Sequence, residues 1–308
     1  MSRFQRSWLL FKGSISIITQ NRQLLFFPIV TFFASAIIVL FFITPAVLWP
    51  TGFSYGSVEH WKAIGNMFFT VSGGAAGSQA VHFTYSPTGI AYLVFLYFVS
   101  MFLATFFNVA FYNEILAALN SQPVSLSRGL KFACTRYRAI LMWTLFAGLI
   151  GLIIKAIEQR LDVVGRIIAR LIGITWSIAS VFVIPIIVRD QQSVNPVEML
   201  KKSAAVLKRT WGEALIGYAG IAFGNLIVLL ASLVLLGGAT FVSIQLDNFW
   251  ILIATAGFWL LALFAWIYLM NVAGLVYKGA LYLYAAEGIV PHPYDKDMLD
   301  AAWKFKKK

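Results

Sequence analysis

Charged side chains are scarce in this sequence. Charged residues make up 12% of the 308 positions and hydrophobic residues 60%, whereas soluble domains have about 25% charged and about 45–50% apolar residues. A soluble fold of this composition would expose more apolar surface than water tolerates. The composition therefore excludes an ordinary soluble domain.

Residues that hold metals or act as nucleophiles are also few. The three histidines, His60, His82 and His292, have no second ligand at metal-binding spacing beyond Glu59. Neither a zinc-protease helix nor a pair of carboxylates within an apolar run occurs. We therefore expect no catalytic site, no metal and no cofactor. Cys134 is the only cysteine, which excludes an intrachain disulfide, and it is either a small buried residue or a palmitoylation site.

Long apolar runs are what the sequence has in abundance. The run from Leu24 to Trp49 holds 26 residues without a charge, and about 18 such residues suffice to cross a bilayer. The pattern predicts an all-α, polytopic transmembrane helical bundle that forms one integral membrane domain over residues 1–308. The six predicted spans are Leu24–Trp49, Thr88–Tyr112, Ala139–Ile157, Leu171–Val188, Ala214–Leu236 and Phe249–Met270. The third and fourth are short, so residues 139–188 either cross the bilayer or form a partial hairpin.

A basic amphipathic helix precedes each pair of spans, which predicts a threefold repeat of helix plus hairpin. The helices lie in RFQRSWLLFKGSISIITQNRQLLFFP, SLSRGLKFACTRYRAILMW and NPVEMLKKSAAVLKRTWGEALIG. We expect them to lie along the membrane interface. They divide the domain into a first unit (1–112) with an external loop (50–87), a second unit (113–188), a third unit (189–285) and a basic tail (286–308).

Lysine and arginine fall mainly on one side of these spans. That side carries 19 of the 24 basic residues, and positively charged segments stay in the cytoplasm during insertion. We therefore expect both termini to be cytoplasmic. The net charge of +12 reflects membrane insertion, and we expect no nucleic acid as a partner. The discordant cluster from Lys155 to Arg170 predicts a further amphipathic helix at the interface.

The basic helices also supply candidate ligands for anionic lipid headgroups, each worth roughly 1 kcal/mol. They are either ordinary anchors of the positive-inside type or a dedicated platform for lipid or a partner. The candidate residues are Arg128, Lys131, Lys201, Lys202, Lys208 and Arg209.

Polar and small residues within the spans are further candidates. Asparagines there either join helices through hydrogen bonds or line a solute pathway, and glycines one turn apart let another helix approach, within the monomer or in a homo-oligomer. An ion pair between Glu114 and Lys278 would join the second and sixth spans. The asparagines are Asn108, Asn225 and Asn271, and the glycines are Gly217, Gly220 and Gly224.

The external loop contains its own helix signal. Ser57 is a suitable N-cap, and it precedes apolar residues at helical spacing. These residues, Trp61, Ile64, Met67, Phe68 and Val71, would form one stripe that rests on the membrane surface.

Three motifs resemble those of a bacterial integral-membrane family of unknown function. They are RSWLLFKGSISIITQNRQLLFFPI, WSIASVFVIPIIVRDQQSVNPVEMLKKSAAVLKRTWGEALIG and YKGALYLYAAEG. The resemblance covers nearly the whole chain and implies a bacterial inner membrane, but it carries no catalytic or binding residues. A looser similarity to sulfate-permease-like membrane proteins rests on Arg22 and Pro28 after an amphipathic helix.

Two functional hypotheses follow. The first is a non-enzymatic membrane component that organises anionic lipid or assembles with partners through its basic helices. The second is a channel or transporter for an ion or small solute, with the asparagines around a polar cavity.

Overall fold

The computed structural model describes the backbone of residues 3–72 and 82–295, with side chains over 12–69, 84–208 and 228–295. This part of the chain forms ten α-helices and one short antiparallel hairpin. The helices are α1 (Arg3–Gln20), α2 (Phe26–Val47), α3 (Val58–Phe68), α4 (Pro87–Leu119), α5 (Leu126–Thr135), α6 (Tyr137–Arg160), α7 (Val163–Ala179), α8 (Val183–Arg189), α9 (Pro196–Gln245) and α10 (Phe249–Tyr282). A 3₁₀ turn (Arg22–Leu25) precedes α2, and a π turn (Leu283–Glu287) follows α10.

Short polar side chains start most of these helices. Each accepts a hydrogen bond from a backbone N–H of the first turn, which otherwise has no partner. Pro87 and Pro196 follow two of the caps, at the position where proline loses no helical hydrogen bond. The predicted cap Ser57 is confirmed. The caps are Ser57, Ser86, Ser125, Asp162, Asn195 and Asn248.

Six helical stretches among the described residues are long and apolar enough to cross a membrane, which confirms the predicted fold class. They are Arg22–Val47, Pro87–Leu119, Tyr137–Arg160, Val163–Arg189, Val228–Gln245 and Phe249–Glu287. Two helices continue beyond the predicted span ends, α4 to Leu119 and α10 to Tyr282. The polar residues after Tyr112 and Met270 end the apolar run but not the helix. Contacts with other parts of the protein bury these extensions and stabilise them as helix.

The fourth span is broken between α7 and α8. Pro185 lacks an N–H and its ring crowds the carbonyl of residue 181, so a continuous helix is disfavoured there. The backbone N–H of Phe182 at the break donates instead to Ser203 Oγ on α9, at 3.0 Å and in a buried position. The break therefore gives α9 a polar attachment to the fourth span.

The third and fourth spans form a hairpin of full length. The 24 residues of α6 are about 36 Å long, longer than the roughly 30 Å hydrocarbon layer. The separate interfacial helix predicted over 155–170 is wrong, because these residues are the end of α6 and the start of α7. Glu158 pairs there with Lys155 at 3.0 Å and with Arg170 at 3.1 Å, so the cluster closes the hairpin tip.

The protein core lies toward one end of the bundle. It joins the C-terminal halves of α4 and α10 with α5, α8, the start of α6, the end of α1 and the first turns of α9. We call this the basic end, because Arg128, Arg136, Arg189 and Lys202 lie there. Away from this end the spans present their side chains outward. Only 6% of the residues in the most apolar stretch of α9, and none of those in α10, are buried.

The three basic helices pack against this core. Ile17 and Ile18 of α1 are buried, as are Ala133 of α5 and Met199 and Leu207 of α9. They connect to their spans differently: through the 3₁₀ turn after α1, through Arg136 alone after α5, and without any break in the 50-residue α9. The threefold layout is thus present with three kinds of junction.

The external loop carries α3 as predicted, except that Val71 lies in a strand. Strand β1 (Phe69–Ser72) pairs antiparallel with β2 (His82–Tyr85). The imidazole of His60 is fully buried, with Nδ1 2.7 Å from Thr51 Oγ1 and Nε2 3.2 Å from the carbonyl oxygen of Val47. The ring therefore ties α3 to the end of α2.

Candidate functional site

Glu114 is the most deeply buried charge at the basic end. Its side chain is 0% exposed, and Arg128 of α5 donates to both of its oxygens, Nε to Oε1 at 2.9 Å and Nη2 to Oε2 at 2.6 Å. The backbone N–H of Ser125 and the amide of Asn113 complete its shell, at 2.7 and 2.9 Å. Hydrogen bonding to Glu114 raises the pKa of Arg128. The predicted Glu114 to Lys278 ion pair is wrong, since Arg128 is the cation that Glu114 binds.

A glycine lets α5 approach α4 at this pair. A Cβ at Gly129 would lie 2.7 Å from the carbonyl oxygen of Ala110 and 3.0 Å from Glu114 Cγ. Such distances do not occur between real Cβ atoms and a carbonyl oxygen, so only glycine fits without movement of a helix. The close approach brings the Arg128 guanidinium within reach of a carboxylate on the facing helix.

Arg136 is the second buried charge, and it binds carbonyl oxygens rather than a carboxylate. Its guanidinium donates to Ile187 O at 3.0 Å, Asp190 O at 2.8 Å, Ser193 O at 3.0 Å and also to Gln191 O. These carbonyls belong to the last turn of α8 and the loop after it, where helical partners have run out. Burial lowers the pKa of Arg136 from its usual range. The sequence shows Arg136 only as one more basic residue before an apolar run.

The start of α9 is tied to the same loop. Lys202 lies 2.6 Å from Asp190 Oδ2 and 2.5 Å from Glu198 Oε1. Hydrogen bonds to these carboxylates raise the pKa of Lys202 to about 12, and the bond from Lys202 lowers the pKa of Asp190. Lys202 is therefore a structural cation of the α8–α9 connection.

Arg189 connects α8 to the end of the sixth span. Its guanidinium meets Glu287 in the same two-point geometry, Nε to Oε1 at 2.8 Å and Nη2 to Oε2 at 2.9 Å. The side chain of Arg189 is 36% exposed, so the pair lies at the surface of the basic end. The pair thereby joins the end of α8 to the turn after α10, 98 positions later in the sequence.

A polar cavity of about 370 Å³ opens between the end of α4, α5 and the end of α8. We call it the α4–α8 cavity. Four apolar residues contribute to its wall, namely Leu116, Ala117, Phe132 and Val188, and the rest of the lining is polar: Asn113, Asn120, Gln122, Arg128, Arg189 and Gln191. Arginines from two different helices thus border one space, without a carboxylate among the lining residues.

The predicted lipid-binding residues fall into two groups. Arg128 and Lys202 are occupied by ion pairs with carboxylates of the protein. Lys131, Lys201 and Lys208 are exposed, and no ion pair involves them among the residues with described side chains. The side chain of Arg209 lies outside the described residues. Lipid binding by these residues stays a prediction.

The predicted pathway and packing residues are not brought together by the described structure. Asn108 and Asn271 are exposed on α4 and α10, and Asn225, like Gly217, Gly220 and Gly224, belongs to the part of α9 without described side chains. The pathway therefore stays a prediction. Cys134, predicted as either buried or available for palmitoylation, is exposed on α5. Residues 296–308 of the basic tail lie outside the described residues.

One short motif was missed in the sequence. Gly52–Gly56 reads GFSYG and matches the nucleophile pattern G-x-S-x-G letter for letter. It lies in the turn before α3 rather than between a strand and a helix, and both ring nitrogens of nearby His60 contact Thr51 and Val47. Within residues 3–72 and 82–295, no group of three His, Cys, Asp or Glu residues could hold a metal ion.

Comparison with known proteins identifies a family but no activity. The sequence profile of a family of unknown function, DUF6159, matches residues 88–291, which include every helix of the basic end except α1. No curated protein and no solved structure matches the chain. The looser similarity to sulfate-permease-like proteins therefore has no support.

Proposed function

Because the chain belongs to the family of unknown function DUF6159, we propose a role that follows from its own structure: a non-enzymatic, multi-pass component of a bacterial inner membrane. Its basic end faces the cytoplasm and binds anionic lipid headgroups, so that it organises lipid around itself or around a partner. The termini lie on the cytoplasmic side, in accord with the distribution of lysine and arginine.

The observation that carries the proposal is that some basic residues of the basic end are bound by protein groups, whereas others are exposed and have no ion pair within the described side chains. Arg128, Arg136 and Lys202 are held by carboxylates or carbonyls of the protein. Lys131, Lys201 and Lys208 are exposed and have no ion pair within the described side chains. Cations without a protein partner attract anionic headgroups by about 1 kcal/mol each. Two helices of the basic end, α5 and α9, present them.

Rigidity of the basic end also supports this role. The apolar faces of α5 and of the first turns of α9 are buried against protein, so the backbone positions that carry the lysines are fixed. A helix held only by lipid would lose its order when it leaves the interface. A preformed surface binds with a smaller loss of conformational entropy.

The test counts lipids that remain bound to the purified protein. Full-length protein is reconstituted in equal parts of phosphatidylglycerol and phosphatidylcholine, released in neutral detergent and weighed by native mass spectrometry. The triple variant Lys131→Gln, Lys201→Gln, Lys208→Gln should lose most bound phosphatidylglycerol and keep its phosphatidylcholine. Added salt should reduce the difference, because exposed charges are screened.

A matched variant separates this surface from net charge. Lys62→Gln, Arg160→Gln, Arg166→Gln removes three exposed positive charges from the opposite end and should keep the wild-type amount of phosphatidylglycerol. Equal losses in both triple variants would mean that net charge alone attracts the lipid. Unchanged retention in the first variant would refute the proposal.

A further inference from the structure

The α4–α8 cavity has the chemistry of an anion site. Its charged lining residues are two arginines, Arg128 and Arg189, and the neighbouring amides of Asn120, Gln122 and Gln191 can donate further hydrogen bonds. The carboxylates that pair with the arginines, Glu114 and Glu287, are not among the lining residues. A cation would meet the positive charges of both arginines there, whereas an anion would meet two opposite charges together with the N–H donors of the amides.

Both arginines meet a carboxylate through Nε and Nη2. Arg128 donates from Nε and Nη2 to Glu114, and its Nη2 donates also to the carbonyl oxygen of Pro123. Arg189 donates from Nη2 to Glu287, and its Nε lies 2.8 Å from the same carboxylate. These contacts fix the plane of each guanidinium. The remaining nitrogen, Nη1, has no acceptor among the described residues in either arginine. A guanidinium held along one edge has lost its rotamer freedom before a ligand arrives, while the other nitrogen keeps two N–H groups.

From these observations we propose that the α4–α8 cavity binds a phosphate group, with Arg128 and Arg189 as its charged ligands. A planar carboxylate is satisfied by one arginine, but the tetrahedral oxygens of phosphate accept from donors on two walls at once. The cavity volume of about 370 Å³ is within the range of small-ligand sites and leaves room for the group esterified to the phosphate.

The phosphate could come from a lipid headgroup or from a soluble phosphate compound, and the chemistry of the site is the same. The inference does not depend on the exposed lysines of the proposed function, because Lys131, Lys201 and Lys208 do not line the cavity. Variants of the cavity therefore test it separately from the lysine surface.

The variants place one negative charge in the cavity and leave both ion pairs intact. Gln191→Glu changes a lining residue after α8, and Gln122→Glu changes one after α4. Both residues are exposed, so the substitutions should not disturb folding, and unchanged melting temperatures verify this. The matched control is Gln192→Glu, which adds the same charge one residue away at an exposed position outside the lining.

Two arms distinguish the sources of the phosphate. In the first, radiolabelled inorganic phosphate and glycerol phosphate are equilibrated with full-length protein in neutral detergent at constant ionic strength. In the second, phosphatidic acid at low mole fraction competes with phosphatidylcholine for the protein in nanodiscs. We expect Gln191→Glu and Gln122→Glu to weaken binding by about tenfold or more, because a like charge opposes the phosphate at close range. Gln192→Glu should stay within about twofold of wild type.

Each outcome decides the proposal. Binding of the tailless phosphates that is lost in the cavity variants supports a soluble ligand. Selective loss in the nanodisc arm alone supports a lipid headgroup. Absence of saturable binding in both arms, or the same effect from Gln191→Glu and Gln192→Glu, would overturn it.

Discussion

Glu114 and Arg128 form a two-point ion pair that closes the α4–α5 hairpin, with the Glu114 side chain fully buried and the Arg128 side chain 43% exposed. The pair serves two purposes that follow from this asymmetry. The buried side compensates a charge that would otherwise be costly next to the core. The exposed side presents Arg128 to the α4–α8 cavity. Arg128 therefore both stabilises the α4–α5 hairpin and forms part of the candidate site.

Replacement of the carboxylate should be strongly destabilising. Glu114→Gln leaves Arg128 without its counterion. It also replaces one of the two carboxylate oxygens, which accept from the Ser125 N–H and from the Arg128 guanidinium, with an NH₂ group that cannot accept. We expect the free energy of unfolding in mixed micelles to fall by about 2–3 kcal/mol. Glu198→Gln is the control, because that carboxylate is 50% exposed and its loss should cost under about 1 kcal/mol. Equal effects of the two variants would contradict the assigned role of burial.

The same substitution, arginine to lysine, should have different effects on stability at Arg136 and at Arg138. Arg136→Lys keeps the charge but cannot reach the four carbonyl oxygens that the guanidinium binds. We expect a loss of about 2–4 kcal/mol in unfolding free energy. Arg138→Lys, two residues later and exposed over Tyr137, should change stability by less than about 0.5 kcal/mol. Similar melting temperatures for both variants would show that the carbonyl cluster does not depend on Arg136.

The fold was predictable to the extent that it depends on apolar length. Runs such as Leu24–Trp49 define spans because a bilayer requires a minimum length of helix. The continuation of α4 to Leu119 was not predictable from this rule, since residues beyond Tyr112 are ordered by contact with α5 and α8. The tip of the α6–α7 hairpin was misread for a similar reason. Its charges satisfy one another around Glu158, and a hydropathy pattern does not show which charges pair.

The candidate site was only partly predictable. Positive residues at the ends of spans identified the basic end and the exposed lysines of α5 and α9. The partners of each cation depend on long-range packing: Arg136 meets carbonyls more than 50 positions away, and Arg189 meets Glu287 after 98 positions. The α4–α8 cavity exists only because α4, α5 and α8 converge. In the sequence alone, Arg128 and Lys131 are equivalent basic residues of one amphipathic helix. In the structure, Arg128 binds the buried carboxylate of Glu114 and Lys131 is exposed.

One hydroxyl supplies the buried hydrogen bond between α9 and the break in the fourth span. Ser203→Ala leaves the buried N–H of Phe182 without its acceptor, which should cost about 1–3 kcal/mol. Ser180→Ala removes a hydroxyl whose exposed hydrogen bond goes to Ser177 O in the last turn of α7, and it should have little effect. Chemical unfolding of the two variants under one detergent condition provides the measurement. If the two alanine variants are equally stable, the Ser203 contact does not hold the break.

The Lys202 to Asp190 bridge has a defined pH window. The pKa of Asp190 is lowered from 3.8, so its contribution is full above that value and is lost as pH falls through the lower folded pKa. The pKa of Lys202 is raised from 10.5 to about 12, so its contribution is full below 10.5 and is lost as pH rises toward 12. The stability difference between wild type and Lys202→Gln should therefore be constant from about pH 5 to about pH 10.

Melting temperatures across that range measure the difference. The exposed neighbour Lys201, replaced in the same way, should show no comparable difference at any pH, because no ion pair involves it within the described residues. A Lys202→Gln effect that changes between about pH 6 and 7 would contradict the assignment and indicate that a histidine takes part.

Cys134 provides a direct test of orientation. It is the only cysteine and is exposed on α5 at the basic end, so the wild-type chain is already a single-cysteine probe. A membrane-impermeant maleimide should leave Cys134 unlabelled in intact cells with permeabilised outer membranes and label it in inverted inner-membrane vesicles. In Cys134→Ser with Lys62→Cys, an exposed position of α3, the pattern should reverse, because α3 lies at the opposite end of the spans. Labelling of Cys134 from outside would place the basic end away from the cytoplasm and remove the basis for its attraction to cytoplasmic anionic lipid.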